Sequence, residues 1–292
     1  SGGNYNVAVG DEAGTALTTG DGNTAIGFEA LKTEDANGFN TGVGYQALKT
    51  LNAGADSYNT AFGYQAGTSI TTGIQNTLLG GLAGDVLTDA DYNIAIGLSA
   101  LGGDTKGNKS VAIGANALAV QNFTSSTDTH NTAVGYKAGN AVTTGIENTL
   151  IGSEAGDALT VGDRNVAVGK GALGAETVSD RSTAVGYRSL SAQNTGSNAD
   201  VYNTAFGYFT GGNVTSGVEN TLLGGSTGSA LTDADYNVAV GYIALAQDTK
   251  GNKSTAIGYS ALYNQNFTSS TDSHNTAVGY HAGLAVTTGI KN

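Results

Sequence analysis

A five-residue pattern that recurs along the whole chain constrains the fold more than any other feature. It reads Asn or Ser, any residue, a small residue or Leu, an aliphatic residue or Phe, and then Gly, and it occurs sixteen times. The start positions of successive copies differ by 17 in most steps, by 19 from Asn40 to Asn59, and by 21 before Asn131, Asn203 and Asn275. A short fixed period is typical of stacked repeat architectures. The copies begin at Asn6, Asn23, Asn40, Asn59, Asn76, Asn93, Ser110, Asn131, Asn148, Asn165, Ser182, Asn203, Asn220, Asn237, Ser254 and Asn275.

A 72-residue period lies above the short one, because the steps of 17, 17, 17 and 21 repeat as a set three times. The ninth residue of successive copies follows the order Gly, Leu, Leu, Gly. This grouping in fours predicts one repetitive segment over 1–292, a piece of a longer protein, and it divides that segment into super-repeats and partial units. The super-repeats are 59–130, 131–202 and 203–274, and the partial units are 6–58 and 275–292.

The alternation within each copy predicts a short β-strand. The second and fourth residues are β-branched or large and the third is small, and Gly and polar turn residues follow. A glycine in every copy and so short a repeat unit argue against a helix. We therefore expect an all-β, parallel β-solenoid of about 16 coils of 17–21 residues. We also expect the large residues to fill the interior and the small ones to face outward, where they would pack against another backbone in a homotrimer.

The fifth and first positions of each copy are predicted to be structural. Glycine at the fifth position tolerates positive φ and close approach of a neighbouring backbone, so it marks a tight bend or a contact point. Asparagine at the first position suits a turn, and stacked asparagines form ladders of hydrogen bonds. In the coils that open the super-repeats and the last partial unit, these residues are Gly63, Gly135, Gly207 and Gly279, with Asn59, Asn131, Asn203 and Asn275.

Composition limits the function classes. With 24 acidic and 12 basic residues the net charge is −12, which argues against nucleic acid as a partner. No apolar run approaches the length of a membrane span, so we expect no membrane insertion in this segment. Cysteine, methionine, proline and tryptophan are absent while glycine occupies 46 positions, which favours thin, repetitive burial. We expect no cofactor.

The copies "NTAIG", "NIAIG", "SVAIG" and "NTAVG", each with a small residue at the eighth position, resemble two kinds of fibre repeat. They are similar to the head repeats of YadA-type trimeric autotransporter adhesins and to the "NTAVGYxAL" repeats of phage and bacterial tail fibres. The resemblance implies a left-handed β-roll, a homotrimer and attachment to a glycan or protein receptor on a host surface. It also implies an extracellular location, on a virion tail fibre or a microbial cell surface. The copies are longer than typical adhesin-head repeats, and frequent tyrosine after the glycine favours the tail-fibre version.

The three longest coils carry the candidate ligand-binding residues. Their extra residues lie in "QNFTSSTDTH", "QNTGSNADVY" and "QNFTSSTDSH", and insertions in a solenoid form loops at one edge, where binding often occurs. The alternative is that these loops are spacers or trimer contacts. The candidates, whose rings suit stacking on sugars or contact with a receptor, are Phe123, His130, Tyr202, Phe267 and His274.

The acidic turns suggest at most a minor calcium hypothesis. Asp89 and Asp91 lie in "TDADYN", as do Asp233 and Asp235, but a calcium loop needs more ligands at fixed spacing. We therefore interpret these residues as solvated turns whose carboxylates satisfy backbone donors.

Metal binding and catalysis find little support in the sequence. The three histidines, His130, His274 and His281, are too few and too dispersed for a metal site within one chain. Acidic residues recur with the repeat or scatter in loops, so we expect no enzyme. The alternatives to a fibre segment are a polysaccharide-degrading tailspike and an ice-binding solenoid.

Overall fold

A computed structural model describes residues 2–292 and confirms an all-β, parallel β-solenoid of about 16 coils. The chain divides into two compact units, one ending at Glu147 and one beginning at Asn148. Each unit contains eight strands that follow the repeat and one pair of shorter strands. Residues 2–292 contain no helix, and therefore no helix long and apolar enough to span a membrane.

The strands of both units are short, and those that follow the repeat alternate with turns. In the first unit they are β1 (Val7–Val9), β2 (Thr24–Ile26), β3 (Thr41–Val43), β4 (Thr60–Phe62), β5 (Thr77–Leu79), β6 (Ile94–Ile96), β7 (Gly107–Asn108), β8 (Val111–Ile113), β9 (Thr127–Asp128) and β10 (Thr132–Val134). Those of the second unit are β11 (Thr149–Ile151), β12 (Val166–Val168), β13 (Thr183–Val185), β14 (Thr204–Phe206), β15 (Thr221–Leu223), β16 (Val238–Val240), β17 (Gly251–Asn252), β18 (Thr255–Ile257), β19 (Thr271–Asp272) and β20 (Thr276–Val278).

Equivalent residues of successive coils stack in register. In the first unit Thr60 pairs with Thr77, Ala61 with Leu78 and Phe62 with Leu79, all in parallel. The same pairing runs from β1 to β10 through β8, and in the second unit from β11 to β20 through β18. Each side chain therefore lies above its counterpart in the next coil.

The prediction of which strand face is buried was wrong. The middle residue of every three-residue strand except β1 is buried, as Ala61 is, whereas its neighbours Thr60 and Phe62 are exposed. The interior is narrow, and leucine side chains such as Leu48 and Leu51 from elsewhere in the coil already fill it. A small residue is thus required on the inner face, and the larger residues point outward.

The alternation of Gly and Leu at the ninth position keeps the interior volume constant. Leu78, Leu150 and Leu222 are larger than the alanine usual at the third position, and the ninth residue of each of their coils is glycine. A Cβ on Gly84 would lie 3.0 Å from Cδ2 of Leu78. Since interiors are close-packed, a larger side chain at one position requires a smaller one where it reaches.

The turns between strands use left-handed backbone at recurring positions. Gln46, Leu48 and Tyr58, at the seventh, ninth and last positions of one coil, have φ of 57°, 50° and 50°. Backbone bonds between coils continue through these turns, since the N–H of Gln46 donates to the Phe28 carbonyl at 2.8 Å. Inter-coil hydrogen bonding thus extends well beyond the three strand residues.

Candidate functional site

The glycines at the fifth position have a positive φ, and most of them also contact the next coil directly, although Gly279 in the last coil does not. Gly63 has φ of 145° and Gly207 has φ of 141°. A Cβ on Gly63 would lie 2.6 Å from the carbonyl carbon of Gly80, and one on Gly114 would lie 2.6 Å from that of Gly135. No other residue fits at such a contact without movement of the backbone.

The asparagines at the first position form a buried ladder. Asn59 Oδ1 accepts a hydrogen bond from the backbone N–H of Asn76 at 2.9 Å, and Asn76 Oδ1 accepts one from that of Asn93 at 3.0 Å. Each amide also closes its own coil, as Asn59 Nδ2 does by donating to the Gly73 carbonyl at 2.8 Å. The amides of Asn131, Asn203 and Asn275 donate in the same way to the carbonyls of Gly145, Gly217 and Gly289.

The ladder is interrupted where serine replaces asparagine, and a second polar group fills the gap. Gln121, fully buried, donates from Nε2 to Asp104 Oδ2 at 2.6 Å and to Ser110 Oγ at 2.9 Å. Its Oε1 accepts from Asn131 Nδ2 at 2.8 Å. The equivalent pairs are Gln193 with Glu176 at 3.0 Å and Gln265 with Asp248 at 2.6 Å.

One buried carboxylate lacks this partner. Glu34 occupies the position of Asp104, but Leu51 stands where the glutamine would be. Glu34 Oε1 accepts from Asn37 Nδ2 at 2.9 Å and from two backbone N–H groups, whereas its buried Oε2 has no hydrogen-bond partner among residues 2–292. Burial raises the pKa of the Glu34 carboxyl, and the charge of Asp35 acts in the same direction.

The five predicted ligand-binding residues fall into two groups. Phe123 and Phe267 are each only 7% exposed, so a ligand at the surface would not reach the faces of their rings. His130, His274 and Tyr202 are exposed. The loops are also less free than expected, since Thr127–Asp128 pairs with Gly107–Asn108 of the preceding coil.

A repeated arrangement of charges surrounds the exposed histidines. Beside His130, Lys109 Nζ lies 2.5 Å from Asp128 Oδ2. The Lys109 hydrogen bond lowers the pKa of the Asp128 carboxyl, and the charge of His130 contributes further. Lys253 and Asp272 repeat this pair beside His274.

Tyr202 occupies the equivalent place in the middle long coil. Its hydroxyl donates to Asp200 Oδ2 at 3.0 Å, and the Arg181 guanidinium lies 5.8 Å from its ring centre. Arg181 also forms an ion pair with Asp200. The exposed ring thus has a cation and a carboxylate beside it, as His130 and His274 do.

The carboxylates of the acidic turns form hydrogen bonds and an ion pair within the solenoid. Asp91 Oδ1 accepts from the Ile74 backbone N–H at 2.8 Å, and Asp235 Oδ1 accepts from that of Val218 at 2.9 Å. Asp89 Oδ2 lies 3.7 Å from Lys106 Nζ. In the part of the chain that the structure describes, His, Cys, Asp and Glu side chains form no group of three or more that would hold a metal ion.

Sequence reasoning missed a surface formed by exposed aromatic rings. The residue after the fifth-position glycine is aromatic in runs, and the rings of Phe28, Tyr45 and Tyr64 stack at 5.2 Å and 5.3 Å between ring centres. Tyr242 and Tyr259 stack in the second unit at 5.7 Å. The signal was present as tyrosine after glycine at the repeat spacing, which places the rings in register.

Comparison of the chain with family models, with curated proteins and with solved structures finds no match. The fold and its repeated contacts define a β-solenoid repeat protein.

Proposed function

We propose that the chain is a structural and adhesive fibre segment, which projects and displays binding residues at regular intervals on a virion or a microbial cell surface. The observation that carries this proposal is the outward face of the sheet. Phe62, Leu79, Phe206 and Leu223 are 43–55% exposed there. The interior, by contrast, is well satisfied, since Glu34 Oε2 is the one buried side-chain polar atom without a partner among residues 2–292. Large exposed apolar patches mark contact surfaces.

Self-association as a parallel homotrimer of left-handed rolls, grouped in fours, is the form we propose for the fibre. Support comes from the register of the outward side chains, because identical rows on three copies would offer continuous apolar strips to one another. The buried glutamine pairs recur once in every four coils, which supports the four-coil unit. Many weak contacts then act together, and avidity exceeds the affinity of each.

The mass of the assembly in solution tests this proposal. We expect three times the chain mass of 29.0 kDa by light scattering, and an elongated particle by small-angle scattering. Phe62→Asp with Leu79→Asp should reduce the mass to that of one chain. Phe39→Asp, which changes a similarly exposed ring elsewhere on the coil, is the matched control and should leave the mass unchanged. A compact single chain of wild-type sequence would contradict the fibre.

A second candidate, an ice-binding solenoid, is favoured by one observation. Thr24, Thr41, Thr60 and Thr77 follow one another in register on the outward face. A regular threonine row on a flat sheet suits ordered water. Thermal hysteresis by a single chain, abolished by Thr41→Tyr, would favour this function over the fibre, and its absence would remove it.

A further inference from the structure

A groove lies on the surface of the second unit. It has a volume of about 400 Å³, within the range of small-molecule sites of roughly 300–1,000 Å³. Its floor is formed by Gly171, Gly174 and Ala175, all from the coil that begins at Asn165. The groove exists because this coil has small residues where its neighbours have larger ones.

The side chains of the two flanking coils form the walls. A Cβ on Gly174 would lie 3.5 Å from Asp157 Oδ1, and one on Gly171 would lie 3.7 Å from Arg188 Cγ. Asp157 and Arg188 therefore lie beside the two glycines. Tyr187 completes one wall, and its ring stacks on that of Tyr208 at 5.4 Å.

Two cations in the groove are available to a ligand. At least seven of the twelve Lys and Arg residues form ion pairs with carboxylates. Lys170 and Arg188 line the groove, both are exposed, and neither side chain forms a hydrogen bond or an ion pair within residues 2–292. In the first unit, by contrast, Lys32 and Lys49 at the tenth position of their coils are bound to Glu29.

The two groove cations are not part of the 72-residue repeat. At the positions of Lys170 and Arg188 the preceding super-repeat has Leu98 and Asn116. The following one has Tyr242 and Ser260 at those positions. Since the solenoid forms with any of these residues, the charged pair is not needed for the fold.

We propose that this groove binds a carboxylate-bearing sugar unit of a surface glycan. The inference rests on the proposed adhesive function, for which it names a ligand class and a site away from the long-coil loops. Lys170 and Arg188 bind the sugar carboxylate through charge-assisted hydrogen bonds. The exposed ring of Tyr187 packs on the apolar face of the sugar. Glu154 and Asp157, on the opposite wall, accept hydrogen bonds from sugar hydroxyls.

Titration with two tetrasaccharides, followed by nuclear magnetic resonance, tests the site. The probes are a hyaluronan tetrasaccharide, which carries glucuronate, and uncharged chitotetraose. We expect the shifts caused by the hyaluronan tetrasaccharide to map to the backbone of Gly171, Gly174 and Arg188. Equal binding of chitotetraose, or the same shifts with sodium acetate alone, would overturn the proposal.

Paired variants identify the groups responsible. Lys170→Ala with Arg188→Ala should weaken binding about tenfold or more, the effect of losing at least one charge-assisted bond. Lys137→Ala with Lys291→Ala removes the same charge outside the groove and should leave binding within about twofold. Equal losses in the two double variants, or a larger loss in the second, would refute the assignment.

A groove-filling variant keeps the test independent of charge. Gly174→Thr adds a side chain that the solenoid already accepts at the equivalent Thr68, and it should abolish binding while the melting temperature is unchanged. Retained binding would place the ligand elsewhere. An assembly of the expected mass that binds neither probe would refute the groove alone, whereas a compact monomer that binds the hyaluronan tetrasaccharide would refute only the fibre.

Discussion

Asn59 Oδ1 accepts a hydrogen bond from the backbone N–H of Asn76 at 2.9 Å, so a side chain of one coil satisfies the main chain of the next. Asn76 in turn donates from Nδ2 to the Ala90 carbonyl at 2.8 Å and accepts from the Asn93 N–H at 3.0 Å. Each asparagine side chain thereby bonds both to the backbone at the end of its own coil and to the backbone of the next coil.

Removal of one amide from this ladder should be costly. Asn76→Ala leaves the Ala90 carbonyl and the Asn93 N–H without these partners in a buried place, and unsatisfied groups of this kind cost about 1–3 kcal/mol each. We expect the free energy of unfolding in urea to fall by about 2–5 kcal/mol. Asn52→Ala, at an exposed site whose side chain makes no hydrogen bond within the described part of the chain, should change it by less than about 0.5 kcal/mol. Similar effects of the two substitutions would contradict the ladder.

Gly63 and Gly54 differ in whether an added Cβ would contact a neighbouring coil. Both have positive φ, 145° and 75°, but a Cβ on Gly63 would overlap the Gly80 backbone while one on Gly54 would meet no described atom within 4 Å. Gly63→Ala should therefore lower the free energy of unfolding by more than about 3 kcal/mol, and Gly54→Ala by about 1 kcal/mol. The measurement is urea unfolding of both variants, and a loss at Gly54 equal to or larger than that at Gly63 would contradict the contact between coils.

Glu34 predicts a loss of stability as pH rises. Because burial raises its pKa in the folded chain, the folded state holds the proton more tightly than the unfolded state. The unfolding free energy should fall as pH increases from the ordinary glutamate pKa of 4.5 through the raised folded value. Leu51→Gln supplies the donor found at Gln121, and it should flatten this dependence in unfolding curves measured between these pH values.

The control places the same amide at a buried position whose neighbouring coils have no carboxylate at the equivalent place. Ile70 is fully buried at the position equivalent to Leu51, and the coils before and after it have Leu51 and Leu87 at this position. Ile70→Gln should cost about 2 kcal/mol or more at every pH, because the amide is buried without a partner. If both substitutions destabilise the chain equally at neutral pH, the missing-partner explanation of Glu34 fails.

Glu29 should titrate in the opposite direction within the same protein. Lys32 and then Lys49 and Gln46 donate to its carboxylate at 2.6–2.7 Å and lower its pKa to about 2. Its contribution to stability is present above the ordinary value of 4.5 and is lost as pH falls towards 2. Carbon-detected titration should give a Glu29 midpoint well below that of Glu34, and Lys49→Met should raise it. A Glu29 midpoint unchanged by Lys49→Met would exclude that ion pair.

The solenoid itself was predictable because its period is visible directly in the chain. The five-residue pattern indicated strands such as Thr60–Phe62, and glycine in every copy indicated the contact seen at Gly63. Positions that must repeat to stack are visible in any repetitive sequence, since each coil meets the same neighbour.

The buried face was not predictable from hydrophobicity alone. Phe62 is more apolar than Ala61, yet the alanine is inside because the interior has room for little more than a methyl group beside Leu48. The groove was missed for a related reason, since Lys170 and Gly174 are unremarkable separately. Only stacking of two successive coils brings the lysine and the glycine of one coil to Arg188 of the next.

The pairing of Asp104 with Gln121, like its two equivalents, occurs at one coil-to-coil contact in every four. A recombination that removed the coil of Asp104 or the coil of Gln121 alone would leave the other side chain without this partner. An exchange of one whole four-coil unit restores every pair. The chain length can therefore change by whole four-coil units without separating any of these buried pairs.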